Sequence, residues 1–308
     1  MTKRDYLSVD DLSTEELTTL LDDAGAVKKK PQARTDALAG RHVALIFEKP
    51  STRTRVSMEV AVTGLGGTAI VLRSDELQLG RGETIEDTGR VLSRYVDAIA
   101  VRTFGQERVE ALASGATVPV INLLTDQSHP CQALADLLTI REHVDEDPKE
   151  ISVAYIGDGN NVAHSLLLAG AQSGMDVRIA SPVGYQPDPD IVERAKLIAA
   201  HTDGRVTVTD LVAEAAGGAD VLYTDVWASM GQEAESDARA EVFERYQLNE
   251  EVVALASPGV VVMHCLPAHR GEEISAGVMD SNRSLVWDQA ENRLHTQKAL
   301  LIWLLSQE

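Results

Sequence analysis

Short apolar runs alternate along the chain with longer stretches in which apolar residues recur at a helical spacing. The first run occupies residues 41–47, and a helical stretch follows it from about Ser51. Strands buried on both faces of a parallel sheet give such unbroken apolar runs, and helices connect each strand to the next. The alternation therefore predicts an α/β protein with doubly wound parallel sheets. The further predicted strands are residues 96–101, 118–122, 151–156, 176–180, 220–223 and 260–264.

An acidic segment with a proline, residues 145–149, interrupts this alternation after the third predicted strand. Such a segment is typical of a domain junction, and 308 residues suffice for two domains of about 150 residues each. We expect a first domain over residues 1–145 and a second over residues 146–291, with a cleft between them. The last helix, within residues 292–308, follows the second sheet and is expected to return to the first domain. Ligands of open parallel sheets bind at the carboxyl ends of the strands.

The chain is strongly acidic, with 28 lysines and arginines against 48 aspartates and glutamates and a net charge of −20. A surface of that sign repels nucleic acid and anionic membranes, so neither is expected as a partner. The basic residues are 8 lysines and 20 arginines. Together with the acidic excess, they predict adaptation to high salt, where charges are screened over about 3 Å. An ordinary acidic cytosolic protein is the alternative.

Two cysteines, Cys131 and Cys265, are too few for a disulfide scaffold, so a reducing compartment is the simpler expectation. The chain has no apolar run of the roughly 18 residues that a membrane-spanning helix needs. Residues 1–11 are polar and acidic, which argues against a secretory signal. We therefore expect a cytoplasmic protein.

Residues 47–55 combine the end of a predicted strand with the start of a helix that Ser51 or Thr52 can cap. A helix start presents unpaired backbone N–H groups and partial positive charge. The hydroxyls of Ser51, Thr52 and Thr54 add donors, and Arg53 adds a guanidinium suited to phosphate. This combination predicts a site for a phosphate dianion. A capped helix with solvated arginines is the alternative.

Four segments of the sequence resemble the motifs of one enzyme family. They are S-T-R-T-R at residues 51–55, H-P-C-Q at 129–132, D-V-W-A-S-M-G at 225–231 and H-C-L-P at 264–267. In these motifs, their order and their spacing, the chain is similar to the aspartate and ornithine carbamoyltransferases. The resemblance implies transfer of the carbamoyl group of carbamoyl phosphate to the side-chain amine of ornithine. The products would be citrulline and phosphate, in arginine metabolism of either direction.

The same resemblance implies a set of contacts to carbamoyl phosphate. Arg102, His129 and Thr54 would stabilise the negative charge that develops on the carbonyl oxygen, which fixed donors do most effectively. Gln132 and the backbone carbonyl of Leu266 would accept from the carbamoyl NH₂ group. By residue type alone, a surface arginine and a structural histidine would be the ordinary interpretation of Arg102 and His129. The other implied contacts are Ser51, Thr52, Arg53, Cys265 and Arg293.

On the ornithine side, the resemblance implies Asp225 and Cys265 beside the reacting amine. That amine has a pKa of about 10 in water and must lose a proton before or during attack. Cys265 as the general base is a hypothesis, because a thiolate needs nearby positive charge; a small buried side chain is the alternative. Asn161, Ser229 and Met230 would hold the amino-acid end. The predicted catalytic residues are Arg102, His129, Asp225 and Cys265.

The loop of residues 75–84 is polar and contains glycines. In the family the corresponding loop reaches the site of a neighbouring subunit, and Gln78 is the reaching residue here. The resemblance therefore implies at least a trimer with shared sites, while trimer, hexamer and dodecamer all stay open. The aspartate branch carries a lysine in this loop, and its absence here favours ornithine.

Two further patterns predict neither a cofactor nor a metal. Residues 157–162 read G-D-G-N-N-V, but valine stands where the third glycine of a dinucleotide-binding loop allows close packing, so no nucleotide cofactor is expected. His264, Cys265 and His269, together with Cys131, lack the spacing of a closed zinc site, so no metal is expected.

Other acceptors are alternatives to ornithine, namely putrescine, N-acetylornithine and aspartate. The S-M-G element at residues 229–231 favours a free α-amino acid. The N-acetylornithine branch tends to replace the first threonine of S-T-R-T-R, and Thr52 is present here. A binding protein without catalysis is an alternative from another class, which the intact chemical groups disfavour.

Overall fold

The computed structural model describes residues 3–73, 82–228 and 236–306. Those residues form two parallel sheets with helices between successive strands. The predicted fold class, α/β with two doubly wound sheets, is confirmed. Among the residues described, no helix is both long enough and apolar enough to cross a membrane.

The chain divides into two compact units. Unit 1 comprises Met1–Ala135 and Glu291–Glu308, and unit 2 comprises Asp136–Ala290. The chain first passes from unit 1 to unit 2 inside a helix, ahead of the acidic segment that the sequence suggested as the junction. The end of the C-terminal helix belongs to unit 1.

Unit 1 contains a four-stranded sheet and the helices that connect its strands. Its elements are α1 (Thr14–Lys29), β1 (His42–Phe47), α2 (Thr52–Gly64), β2 (Thr68–Arg73), α3 (Ile85–Leu92), β3 (Ala98–Arg102), α4 (Gln106–Gly115) and β4 (Val120–Leu124), with α5 (Pro130–His143) at its boundary. The strand order is β2-β1-β3-β4, and all pairs are parallel. Ile46 and Ile99 of the central strands pack with Val109 and Leu112 of α4. Strand order reverses between β1 and β3, which makes their carboxyl ends the expected ligand site.

Unit 2 contains a five-stranded parallel sheet with the same kind of connections. Its elements are β5 (Ser152–Ile156), α6 (Asn161–Gln172), β6 (Asp176–Ala180), α7 (Pro189–Thr202), β7 (Arg205–Thr209), α8 (Val212–Ala216), β8 (Val221–Thr224), α9 (Ser236–Phe243), α10 (Glu250–Val253), β9 (Val261–His264) and α11 (Ala276–Met279), and the last helix, α12 (Val286–Leu305), begins in unit 2 and continues into unit 1. The strand order is β7-β6-β5-β8-β9. Leu222 and Val262 pack in one core cluster with Trp227 and Phe243. Strand order reverses between β5 and β8, so the ends of these two strands form the second expected ligand site.

Several element boundaries differ from those expected. β4 begins at Val120, after Pro119, because proline has no N–H for the ladder. β3 extends to Arg102, so this residue ends the strand instead of following it. α12 begins at Val286, well before the expected start near residue 292, since residues 286–291 contain no helix breaker. α5 begins at Pro130, because proline suits the first helical position.

Candidate functional site

The start of α2 lies at the reversal point of the sheet in unit 1, after β1. Ser51 is its N-cap residue, and the Ser51 hydroxyl accepts from the backbone N–H of Thr54 at 3.3 Å. Other N–H groups of a first helical turn have no partner inside the helix. Thr52 and Arg53 are exposed, so a phosphate has access to these donors.

Arg293 of α12 joins two of the residues that the sequence singled out. Its Nη1 donates to Gln132 Oε1 at 2.7 Å, and its Nη2 donates to Thr54 Oγ1 at 3.2 Å. All three side chains are buried, so water screens the guanidinium charge only weakly. Within unit 1, the last helix therefore brings a cation to the starts of α2 and α5.

His129 precedes α5 and is only 5% exposed. Burial lowers the pKa of His129 well below 6.5, and the guanidinium groups of Arg293, Arg102 and Arg53 lower it further. The imidazole is therefore neutral at about pH 7. Electrostatic effects of this kind weaken with distance, so all three guanidinium groups are near enough to act on the pKa of the histidine. We call Arg53, Arg102 and Arg293 the arginine cluster.

Arg102 reaches this cluster from the end of β3, where the strand pairing is irregular. Val101 lies opposite Asn122 on β4, whereas Arg102 lies opposite Leu124, so the register shifts between them. Irregularities of this kind re-aim a side chain at functional sites. The backbone carbonyl of Arg102 also accepts from the N–H of Glu48 at 2.9 Å, which ties β3 to the turn before α2.

The neutral state of buried His129 predicts a pH dependence of stability. The folded pKa is lowered well below 6.5, so just below that pH the unfolded chain binds a proton that the folded chain does not. By linkage, this contribution to the free energy of unfolding is complete above about pH 6.5 and is lost as the pH falls. In His129→Gln, the free energy of unfolding, measured by urea titration, should fall less between about pH 7 and about pH 5.

The control for this comparison is His201→Gln, which replaces an exposed histidine of unit 2. That variant should follow the parent across the same pH range. Parallel curves for the parent and His129→Gln would contradict the neutral, buried histidine.

Asp225 follows β8 at the reversal point of the sheet in unit 2 and is buried. Its two carboxylate oxygens have different partners. The Nδ2 group of Asn160 donates to Oδ2 at 2.8 Å, and the thiol of Cys265 donates to Oδ1 at 3.0 Å. The ends of β5, β8 and β9 therefore contribute one polar side chain each to a small cluster with an anionic centre.

The segment after β9, which carries Cys265 and Leu266, is held by a fully buried histidine. His264 Nδ1 accepts from the N–H of Leu266 at 2.9 Å, and His264 Nε2 lies 3.1 Å from Glu273 Oε1. The same carboxylate oxygen accepts from the N–H of His269 at 2.6 Å. Leu266 has a positive φ of 60°, a conformation that is strained for a leucine. These hydrogen bonds hold the segment in that conformation.

Gln289 supports the start of this segment from α12. Its Oε1 accepts from the N–H of His264 at 2.9 Å, while its Nε2 donates to Asp136 at 2.7 Å and to the Tyr223 hydroxyl at 2.9 Å. The amide, the carboxylate and the histidine are almost completely buried. The ends of β8 and β9 are therefore linked beneath the Asp225 cluster.

The glycines of the G-D-G-N-N-V segment have a packing function. A Cβ at Gly159 would overlap the backbone of Gln186 and Pro187, and Gly157 has a φ of 145°. Gly159 also donates its N–H to the Tyr185 carbonyl at 2.8 Å. Close approach of two protein segments therefore accounts for the second glycine without a nucleotide.

Family models for two domains match nearly the whole chain. The carbamoyl-P binding domain of aspartate/ornithine carbamoyltransferases matches residues 4–142, and their Asp/Orn binding domain matches residues 149–304. The chain belongs to the aspartate/ornithine carbamoyltransferase family. The family resemblance drawn from the sequence motifs is thus confirmed.

Individual relatives in the aspartate/ornithine carbamoyltransferase family match over their full length. The ornithine carbamoyltransferase of Parafrankia sp. is 61% identical, with 100% of this chain and 98% of the relative covered. That of Acidothermus cellulolyticus is 57% identical, with 98% and 96% covered. The solved ornithine carbamoyltransferase from Pyrococcus furiosus has a TM-score of 0.96 at 52% identity and covers 100% of this chain and 98% of its own.

The structure brings together most of the residues that the family motifs singled out. Within unit 1 these are Arg53, Thr54, Arg102, His129, Gln132 and Arg293, and within unit 2 they are Asp225, Cys265 and Leu266. Asn161 is the first residue of α6, and its contact with ornithine stays a prediction. The amide that contacts Asp225 is that of Asn160. Gln78, Ser229 and Met230 lie outside the described residues.

Sequence reasoning missed three supporting residues, namely Asn160, Glu273 and Gln289. Asn160 had a usable signal, since an asparagine directly before a helix is a typical N-cap. Glu273 and Gln289 had none, because their contacts depend on how the segment after β9 packs against its neighbours.

Two groups of side chains within the described ranges have the chemistry of metal ligands. They are Asp225 with His264 and Cys265, and His269 with Glu272 and Glu273, and the ligand atoms of each group lie within 4.8 Å of one another. In the first group both ring nitrogens of His264 already have protein partners. An ion at that position would have to displace one of those hydrogen bonds.

Proposed function

We propose that this protein transfers the carbamoyl group of carbamoyl phosphate to the side-chain amine of L-ornithine, giving L-citrulline and phosphate. The observation that carries the proposal is the arginine cluster around neutral His129 at the start of α2. Because the chain has a net charge of −20, an anionic substrate requires a local group of positive charges, and this cluster provides it. The names of the full-length relatives support ornithine as the acceptor.

For carbamoyl phosphate, we assign the phosphate group to the start of α2. Backbone N–H groups, the hydroxyls of Ser51 and Thr52 and the guanidinium of Arg53 would bind its oxygens. Arg102 and neutral His129 would donate to the carbonyl oxygen, where negative charge develops as the amine attacks. Arg293 would add positive charge and would orient Thr54 and Gln132, which accepts from the carbamoyl NH₂.

For ornithine, we assign the reacting amine to the Asp225 cluster. In water this amine has a pKa of about 10 and is protonated, so a buried carboxylate attracts it. Asp225 and Cys265 would orient the amine and receive its proton, with Cys265 as general base still a hypothesis. The Leu266 carbonyl would accept from the carbamoyl NH₂. Asn161, Ser229 and Met230 would hold the amino-acid end.

The proposal is tested by assaying ureido product from carbamoyl phosphate with ornithine, putrescine, N-acetylornithine and aspartate. Product should form with ornithine, and the kcat/KM for putrescine should be lower by about a hundredfold or more, because groups built for an α-amino acid would stay unpaired. A preference for another acceptor would replace ornithine, and no product with any acceptor would refute carbamoyl transfer. The reverse reaction uses the same groups, so the assay leaves the physiological direction open.

We also propose a homo-oligomer, at least a trimer, in which Gln78 completes a neighbour's site. An open cavity of about 520 Å³ adjoins Ser51 and Thr52 and is lined by Lys49, Arg55 and Arg73 among others, which gives room for a loop from a second copy. Val56 and Val60 expose apolar side chains on α2 nearby. Light scattering that gives the mass of a monomer or a dimer would contradict this assembly.

A cytoplasmic location and adaptation to high salt are further proposals. The first is supported by the free thiol of Cys265 in the Asp225 cluster, which a reducing compartment preserves. The second is supported by the acidic excess of the sequence. Cell fractionation tests the location. Full activity and folding in dilute buffer would contradict the salt requirement.

A further inference from the structure

Asn160 occupies the position between the end of β5 and the start of α6, and the two ends of its side-chain amide have different partners. The Oδ1 atom accepts from the backbone N–H groups of Val162 and Ala163 at 2.9 and 3.2 Å. It also accepts from the hydroxyl of Tyr155 at 3.4 Å. Because backbone N–H groups can only donate, those of Val162 and Ala163 fix which end of the amide is the oxygen.

The nitrogen end of the same amide must therefore point the other way. It donates to Asp225 Oδ2 at 2.8 Å, while the Cys265 thiol donates to Oδ1 at 3.0 Å. A carboxylate can rotate about its last side-chain bond, where the torsional preference is broad. With one donor on each oxygen, the plane of the Asp225 carboxylate is fixed, and so are the directions of its unused lone pairs.

We propose that Asn160 is a positioning residue for carbamoyl transfer, acting through Asp225 without touching either substrate. The inference rests on the function proposed above. The helix N-terminus holds the oxygen of the amide, so the nitrogen is held against Asp225 as a rigid donor. The carboxylate then meets the incoming amine in one orientation, with the thiol of Cys265 beside it. Rigid support of this kind lowers the cost of orienting the reacting groups.

The capping role and the positioning role can be separated by substitution. Asn160→Asp keeps an oxygen for the α6 N–H groups, because aspartate caps helices as well as asparagine does. It replaces the donor to Asp225 by a second carboxylate oxygen. Asn160→Ser also keeps a good capping oxygen, but its side chain ends too early to donate to Asp225. Tyr155→Phe is the matched control, since it removes one donor to the oxygen end and leaves the contact with Asp225.

The experiment measures kcat, the KM for ornithine, the melting temperature and the Kd for inorganic phosphate in the parent and these three variants. Both Asn160 variants should lose about tenfold to a hundredfold in kcat, which is the range for a hydrogen bond to a charged group. In Asn160→Ser the KM for ornithine should change by less than about threefold, because the charge of Asp225 remains. Phosphate affinity should equal that of the parent, and Tyr155→Phe should keep the parental kcat.

Two results would overturn the inference while leaving the proposed function in place. One is parental kcat in both Asn160 variants, which would leave Asn160 as a helix cap only. The other is a loss of kcat that is matched by a lower melting temperature and weaker phosphate binding, which would indicate a general structural role. A parent that binds phosphate but carbamoylates no acceptor would instead refute the proposed function, and the inference with it.

Discussion

Replacing Arg102 by methionine should lower kcat/KM for carbamoyl transfer by about a hundredfold to a thousandfold, the usual effect of removing one donor to a developing oxyanion. Arg102 ends β3, is 8% exposed and contributes to lowering the pKa of His129. In its proposed role, the guanidinium would favour negative charge on the carbonyl oxygen more in the transition state than in the bound substrate. Most of the loss should therefore appear in kcat, measured at saturating carbamoyl phosphate.

Two companion variants make this result specific to the site. Arg102→Lys keeps the charge but not the planar fork, so its activity should lie between those of the parent and the methionine variant. Arg90→Met removes an exposed arginine that pairs with Asp87 on α3, and it should keep the parental rate. If the kcat/KM of Arg102→Met is within about twofold of the parental value, the arginine cluster does not stabilise charge on the carbonyl oxygen.

The architecture was predictable because parallel strands covered on both faces must be apolar along their whole length. β3 and β5 are buried at every position, and both overlap runs that the sequence marked as strands. The start of α12 was not predictable in the same way, because residues 286–291 are mixed in polarity and lack a capping signal. Local pattern thus indicated seven of the nine strands that the structure describes, and it missed β2 and β7, which lie at sheet edges and are only partly buried.

The unit 1 part of the candidate site was predictable as far as its residues lie in contiguous motifs. Ser51 to Thr54 form a local structure, a capped helix start, which sequence can indicate directly. The contact of Arg293 with Gln132 and Thr54 joins residues far apart in the chain, and only the fold defines it. The neutrality of His129 is likewise a tertiary property, since it arises from burial and from three separate arginines.

In unit 2, the sequence singled out Asn161 as a contact to the amino-acid end of ornithine, and this stays a prediction. The contact with Asp225 comes from the preceding residue, Asn160, which the sequence did not single out. Asn160 is the N-cap of α6, so its side-chain oxygen is held by the backbone of α6 while its nitrogen donates to Asp225. Which amide of an Asn-Asn pair makes that contact depends on where the helix begins, which composition does not encode.

Asp225→Asn should lower kcat/KM for ornithine by about a hundredfold to ten-thousandfold, the range for losing a group that manages a proton in the transition state. The substitution keeps the shape and leaves an oxygen that can still accept from Asn160, but it removes the negative charge that attracts the amine. Asp203→Asn, which changes an exposed aspartate paired with Lys149, is the matched control and should keep the parental rate.

The comparison of Asp225→Asn with Cys265→Ser decides which of the two side chains receives the proton of the amine. In the structure the thiol is placed to donate to Asp225, and a serine hydroxyl can replace it in that role. If the carboxylate is the group that receives the proton of the amine, Cys265→Ser should lose only about tenfold or less, because the serine hydroxyl still donates to the carboxylate. A thiolate base predicts the opposite: the serine variant would lose as much activity as Asp225→Asn, and the pH dependence of its rate would differ from that of the parent. Kinetics of both variants across a range of pH, with ornithine varied at saturating carbamoyl phosphate, distinguish the two mechanisms because only the second requires the sulfur to be ionised.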